Sequence, residues 1–272
     1  MKIACYHWDN EIKLGIVKGK SILPVDFHGD MIDLINSWPF KWSVGEPIPL
    51  GEIRWAPPIS RPSKIIGIGL NYLDHVMESK GNAPESPVIF AKFPNSIIGH
   101  GDKIEWDSNL TKKVDFEAEL AVIIGKKARN LNEDDVREYV FGYTCANDVS
   151  ARNLQFDDKQ WVRGKTLDTF CPIGPWVVTA DEIPDPNKLD IKCRLNNEIM
   201  QDSNTEMMLF KIPELVGFLT RNFTLVPGDI ILTGTPHGVG TFREPSIYMK
   251  DGDQIEVEIE KIGRLLNTCT VR

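Results

Sequence analysis

The stretch VDFEAELAVIIG, Val114 to Gly125, reads as a β-strand with acids set into it. Asp115, Glu117 and Glu119 alternate with Val114, Phe116, Ala118, Leu120 and Val122. Side chains two apart on a strand share a face, so one face is apolar and the other carries up to three carboxylates within a few ångströms. Like charges that close repel, and burying them unpaired is costly. Three readings resolve the conflict: a solvated sheet face, the usual fate of such an alternation; arginine partners; or a bound cation.

The flanking sequence sets the context. KIIGIGL, SPVIFAKF, GPWVVTA, DIKCRLNNEIM, GDIILTGT and QIEVEIEKI all read as strands. Strong helical patterns are confined to NEDDVREYVFGY, with its acidic first turn, and KIPELVGFLTR. Strands outnumber helices and do not alternate regularly with them. That predicts a mainly β (α+β) domain rather than a doubly wound sheet. Near the N-terminus, MKIACYHW and IKLGIVK flank the polar DNE as a hairpin, KGKSILPV adds a third strand, and MIDLINSW has helical spacing. The proline-rich WAPPISRPSK, 55–64, breaks regular structure. A small β-rich N-terminal domain, 1–58, and a main domain, 59–272, are expected on its two sides.

Bulk properties narrow the function classes. The 272 residues are 42% hydrophobic and 26% charged, with a net charge of −8 and no basic run. No nucleic-acid partner and no anionic membrane surface are therefore expected. No apolar run reaches the ~18–20 residues of a membrane span. Asp9, Glu11 and Lys13 interrupt any secretory signal. The cysteines Cys5, Cys145, Cys171, Cys193 and Cys269 are odd in number and widely spaced, without a CxxC. They read as small buried hydrophobes in a reduced cytoplasm rather than a disulfide or zinc framework. GIG at 67–69 lacks a third glycine, and RGKT at 163–166 has lysine at 159 where a P-loop needs glycine. Neither supports a nucleotide site.

Other segments bear on the acids. In YTCANDVSARNLQFDDKQW, 143–161, Asp148 follows a short apolar stretch, and Arg152 and Gln155 come after it. An Asp joined to a Glu-x-Glu pair gives three carboxylates, a donor set for Mg²⁺ or Mn²⁺. Zinc would want His or Cys nearby, and none is adjacent in sequence. In WVRGKTLDTFCPIGPW, Lys165 is either a surface lysine or a cation near the metal that holds a substrate carboxylate. His75 and Glu78 share a face if their segment is helical, the pattern of a general base oriented by a carboxylate; such a pair is more often merely solvated. The following KGNAPESP has the composition of a mobile loop, so residues 73–86 are expected to order over a ligand. PGDIILTGTPHGVG, 227–240, is a strand leading into a glycine-rich turn, with His237 as exposed-loop material.

Taken in order, GLNYLDHVMES, DFEAELAVIIGK, ANDVSARNLQ, RGKTLDTFCPIGP, QDSNTEMMLF and PGDIILTGTPHGVG resemble the fumarylacetoacetate hydrolase superfamily, in its acylpyruvate hydrolase and 2-hydroxyhepta-2,4-diene-1,7-dioate isomerase branch. The resemblance covers about residues 60–272; residues 1–55 resemble the small N-terminal domain of many members. It implies a β-roll of mixed sheets with few helices. Glu117, Glu119 and Asp148 would hold one Mg²⁺ or Mn²⁺ per chain, and His75 with Glu78 would be the base dyad on a lid. Lys165, Arg152 and Gln155 would bind the oxo-acid group or its developing charge, Gly234 and Thr235 would meet the substrate carboxylate, and Asp115 would support the metal shell. A homodimer is implied. The implied reaction is hydrolytic C–C cleavage of an acylpyruvate or related diketo acid to a pyruvate-type product and a carboxylic acid. An oxaloacetate-type decarboxylase, or a 2-oxo-acid isomerase or hydratase, would use the same residues. A non-enzymatic carboxylate-binding metalloprotein would be expected to lack the dyad or Lys165, and both are present.

Overall fold

The computed structural model describes residues 1–157 and 159–272. A mixed twelve-stranded sheet runs, along its main path, through Ile48–Pro49, Ser21–Pro24, Glu11–Lys18, Lys2–Trp8, Cys171–Thr179, Val140–Asn147, Ala118–Ile124, Ile230–Leu232, Ile65–Gly69 and Val88–Lys92. A five-stranded sheet runs through Glu198–Asn204, Asp190–Leu195, Gln254–Ile259, Gly263–Val271 and Lys103–Trp106. The protein is mainly β, with mixed sheets and few helices. The N-terminal strands join the large sheet directly, because Lys2–Trp8 pairs with Cys171–Thr179. Among the described residues, no helix is long and apolar enough to cross a membrane.

The strand Ala118–Ile124 is buried at every position, which is why it reads as apolar beyond the acids. Leu120, Val122 and Ile124 pack with Ile191, Val257 and Leu265 of the five-stranded sheet. Ala121 and Ile123 face the other way, toward Leu34 and Ile35 of the helix Met31–Asn36. Each fully buried Leu or Ile contributes ~1.5–3 kcal/mol over leaving it exposed. The face that carries Glu119 is thus polar at one end and core at the other. The alternation also spans a break. Val114–Asp115 pairs with Ser150–Ala151, whereas Ala118–Ile124 pairs with Val140–Asn147 and Ile230–Leu232.

Two segments depart from their sequence patterns. NEDDVREYVFGY was expected to be a helix; its first half is a 3₁₀ turn, Glu133–Tyr139, and its second half opens the strand Val140–Asn147. Sheet pairing on both sides decides this, since the strand lies between Ala118–Ile124 and Cys171–Thr179. DIKCRLNNEIM is two strands, Asp190–Leu195 and Glu198–Asn204, joined at Asn196 and Asn197 with φ of 51° and 70°. Asparagine tolerates that left-handed turn, as Asp9 and Asn10 do in the first hairpin. All five cysteines are free and buried.

Candidate active site

Chain segments on either side of the Ala118–Ile124 strand bring the site together. Asp148 follows the strand Val140–Asn147, whose pairing register sets Asn147 opposite Ala118. Asn147 Oδ1 accepts from the Glu117 N–H (3.0 Å), and the Asp148 N–H donates to the Glu117 carbonyl (2.9 Å). Glu117, Glu119 and Asp148, all buried, can each bring one carboxylate oxygen within 4.8 Å of the others. Two short helices, Arg152–Asp157 and Trp161–Lys165, then carry the cations. Gly164 lets them touch: a Cβ there would lie 2.7 Å from the Gln155 nitrogen.

The question of what neutralises the acids has a definite answer in this structure. Arg152 donates from Nε to Asp115 Oδ2 (2.8 Å) and from Nη1 to Glu117 Oε1 (2.7 Å). Lys165 Nζ bridges Glu117 Oε2 and Asp148 Oδ2, at 2.6 Å each. Lys92, which the sequence did not single out, donates to Asp148 Oδ1 (2.6 Å) and to the Lys165 carbonyl. Its signal was present: Phe90 and Lys92 share the inward face of Val88–Lys92, and a lysine on a buried face needs a partner. Four carboxylates thus meet three cations, leaving one formal negative charge among these side chains.

The carboxyl group left without a cation among the described residues is that of Glu119. Its carboxylate is met by a backbone donor, the Gly234 N–H at 2.7 Å. Burial first, then Asp148 and Glu117, push its carboxyl well above the usual range. Glu117 behaves oppositely: burial works against its charge, but Lys165 and Arg152 prevail and hold it at about 2. Burial likewise opposes the Lys165 ammonium, yet Asp148 and Glu117 raise it above lysine's ordinary value. A buried, all-oxygen cluster in which one carboxylate lacks a cationic partner among the described residues fits a hard divalent ion. Glu117, Glu119 and Asp148 are the residues that would hold it.

Glu117 and Glu119 line a cavity of about 190 Å³ together with His75, Arg152, Gln155, Lys165 and Thr235. Its remaining wall includes Phe90, Phe156, Trp161 and Phe242, aromatic residues that the sequence motifs left unassigned. His75 and Glu78 sit on the helix Leu73–Ser79, with His75 Nδ1 3.2 Å from Glu78 Oε2. With Nδ1 engaged, Nε2 is the nitrogen left for chemistry. Gln155 Oε1 accepts from Arg152 Nη1 (3.0 Å), while buried Arg152 Nη2 has no hydrogen-bond partner among the described residues. A buried guanidinium donor left over beside a cavity suits a substrate carboxylate.

The remaining expected residues divide. Thr235 is on the cavity wall, donating to the Ala118 carbonyl (3.0 Å) and accepting from Gln201 (2.8 Å). Gly234, at φ +97°, turns its N–H to Glu119 instead of to the open cavity. Asp115 stays apart from the triad and accepts from Arg152 and from the N–H groups of Gly240 (2.8 Å) and Thr241 (2.9 Å). It therefore braces Arg152, which braces Glu117.

Comparison with known proteins follows the same geography. Residues 64–270 match the family described as fumarylacetoacetate (FAA) hydrolase, C-terminal. Over 221 residues the chain is 49% identical to a mitochondrial oxaloacetate tautomerase of Rattus norvegicus, covering 81% of this chain and 70% of that protein. Among solved structures it resembles a fumarylacetoacetate hydrolase from psychrophilic Exiguobacterium antarcticum, with a TM-score of 0.92, 37% identity and 100% of both chains covered. A 2-hydroxyhepta-2,4-diene-1,7-dioate isomerase from Mycobacterium marinum gives a TM-score of 0.85 at 31% identity, covering 100% of this chain and 99% of that one.

Proposed function

The chain belongs to the fumarylacetoacetate hydrolase family, and from that premise we propose that it is a metal-dependent enzyme that interconverts the keto and enol forms of a small 2-oxo acid of the oxaloacetate class. The observation that carries this reading is that His75, paired with Glu78, lines the same cavity as Glu117 and Glu119 of the acid triad. A 2-oxo acid with an acidic C3–H needs a base beside that carbon and positive charge beside the oxo group. His75, its Nδ1–H donated to Glu78, takes the C3 proton at Nε2 while the C3–H electron pair becomes the C2=C3 bond, and passes that proton to the former oxo oxygen to give the enol; the reverse transfer regenerates the ketone. Arg152 Nη2 pairs with a substrate carboxylate, and Phe90, Phe242 and Trp161 keep water from the reacting carbon. Glu117, Glu119 and Asp148 would hold Mg²⁺ or Mn²⁺, which would supply a Lewis acid for the oxo group. Lys165, on the wall of the same cavity, would place its ammonium beside the developing oxygen charge. The 49% identity to an oxaloacetate tautomerase favours proton transfer as the net reaction.

Hydrolytic C–C cleavage of an acylpyruvate is the second reading. The aromatic wall favours it, because an apolar acyl arm would be covered there. In that case His75 deprotonates water rather than C3–H. Purified protein with Mg²⁺ or Mn²⁺ separates the two: enol absorbance of oxaloacetate is followed in the ultraviolet, and pyruvate release is followed from acylpyruvates. Faster equilibration of oxaloacetate without pyruvate release from acylpyruvates supports the tautomerase. The reverse outcome replaces it by the hydrolase.

A further inference from the structure

We propose that Asp74 and His237 are positioning residues, forming a clasp that fixes the His75–Glu78 dyad against the second sheet; this rests on reading His75 as the base. The helix Leu73–Ser79 has little of its own to hold it in place. It is seven residues long and its N-cap, Tyr72, offers no side-chain hydrogen bond. Isolated helices shorter than ~12–15 residues are marginal in water. Leu73 and Met77 are exposed, so part of the helix surface is unpacked. Yet a general base needs placement to a fraction of an ångström.

The tethers come from two other elements. Asp74 Oδ1 accepts from the His75 N–H at 2.8 Å. Its Oδ2 takes the Ser203 hydroxyl (2.6 Å) from the strand Glu198–Asn204, and lies 2.9 Å from His237 Nδ1 in the glycine-rich turn. One residue further along that turn, the Gly238 N–H donates to Glu78 Oε1 at 2.8 Å. The turn is itself anchored. Gly238 has φ +97°, and a Cβ there would meet the Met200 carbonyl at 2.1 Å. Arg243 Nε donates to the Gly238 carbonyl (3.1 Å) and Arg243 Nη2 to the Met200 carbonyl. Met200 and Ser203 belong to the same strand. Both acids of the helix, Asp74 beside the base and Glu78 partnering it, are thus referred to one rigid platform. His237 is 47% exposed, so its removal disturbs little besides this contact.

The test uses metal-loaded full-length protein carrying His237→Ala, Asp74→Asn or His237→Asn; the side-chain amide introduced by the last variant can replace Nδ1–H as a donor to Asp74. Hydrogen exchange of the peptide covering residues 70–81 is measured beside steady-state turnover of oxaloacetate. Amide exchange in the helix is expected to quicken ~10-fold or more in His237→Ala and Asp74→Asn, with the rest of the chain unchanged and His237→Asn near the parent. kcat is expected to fall by ~10–100-fold in the first two variants and to recover in His237→Asn. Parent-like exchange in His237→Ala and Asp74→Asn overturns the clasp, as does an equal rise across the whole chain. If His75→Ala keeps full turnover, the reading of His75 as base fails, while the exchange result still decides whether the clasp exists.

Discussion

Lys92 sets its ammonium 2.6 Å from Asp148 Oδ1, and neither side chain has any solvent exposure. The Lys92 ammonium donates to Asp148 and to the carbonyls of Val149 and Lys165. Removing one member of a buried pair leaves the other charge uncompensated, at a cost of ~3–5 kcal/mol. Lys92→Met should therefore destabilise the protein by about that amount in chemical denaturation. It should also weaken metal binding by disturbing Asp148. A loss below ~1 kcal/mol, the range of an exposed pair, would falsify this role.

Metal removal should abolish turnover, and Mg²⁺ or Mn²⁺ should restore it. Because Glu119 is pushed toward its neutral form, an ion binding there displaces a proton. Titration calorimetry in buffers of different ionisation enthalpy should show release of about one proton per ion near neutral pH. Buffer-independent heats would count against Glu119 as a ligand. Glu119→Gln should lose both the proton release and the metal.

Stability should respond to the two glutamates with opposite sign. Glu117, held at about 2 against an ordinary 4.5, stabilises the fold above that ordinary value, and this stability is lost as pH falls toward 2. Glu119 has a raised carboxyl, so its contribution is complete below 4.5 and is lost as pH rises through its folded value. Metal-free Glu119→Gln should consequently melt higher than the metal-free parent at neutral pH, with the gain shrinking toward pH 4.5. Differential scanning calorimetry across that range checks it; a lower Tm for the variant at neutral pH contradicts the argument.

His75→Ala should cut kcat by roughly 10²–10⁴-fold, the size of a general-base contribution. Metal affinity should hardly change, since His75 is not a ligand. Glu78→Gln should cost less, because the imidazole survives without its orienting charge. Metal loss in His75→Ala would mean that the ring has been given the wrong role.

Arg152→Lys tests the unpaired Nη2. Lysine keeps the charge but cannot reach Asp115, Glu117 and a substrate carboxylate at once. KM for the oxo acid should rise ~10-fold or more, as expected for a lost charge-assisted hydrogen bond. An unchanged KM would show that the substrate carboxylate is met elsewhere.

Much of this protein is written in its sequence because local spacing alone encodes it. Period-two runs gave the strands, the ordered motifs gave the family, and Glu-x-Glu with Asp148 named the acid triad. Spacing also offered His75 and Glu78, since i and i+3 on a helix share a face. What only the tertiary structure decided are relations between segments far apart in the chain. Lys92 reaches Asp148 across 56 residues, and Asp74 meets His237 across 163. NEDDVREYVFGY has a helical pattern, but neighbours on both sides drew its second half into the sheet. Asp115 alternates with Glu117 and Glu119, yet the strand breaks between them and sends Asp115 to Arg152. Periodicity tells which side chains leave the backbone together; which charge each then meets is set by packing, because a buried charge is tolerated only where the fold supplies its partner.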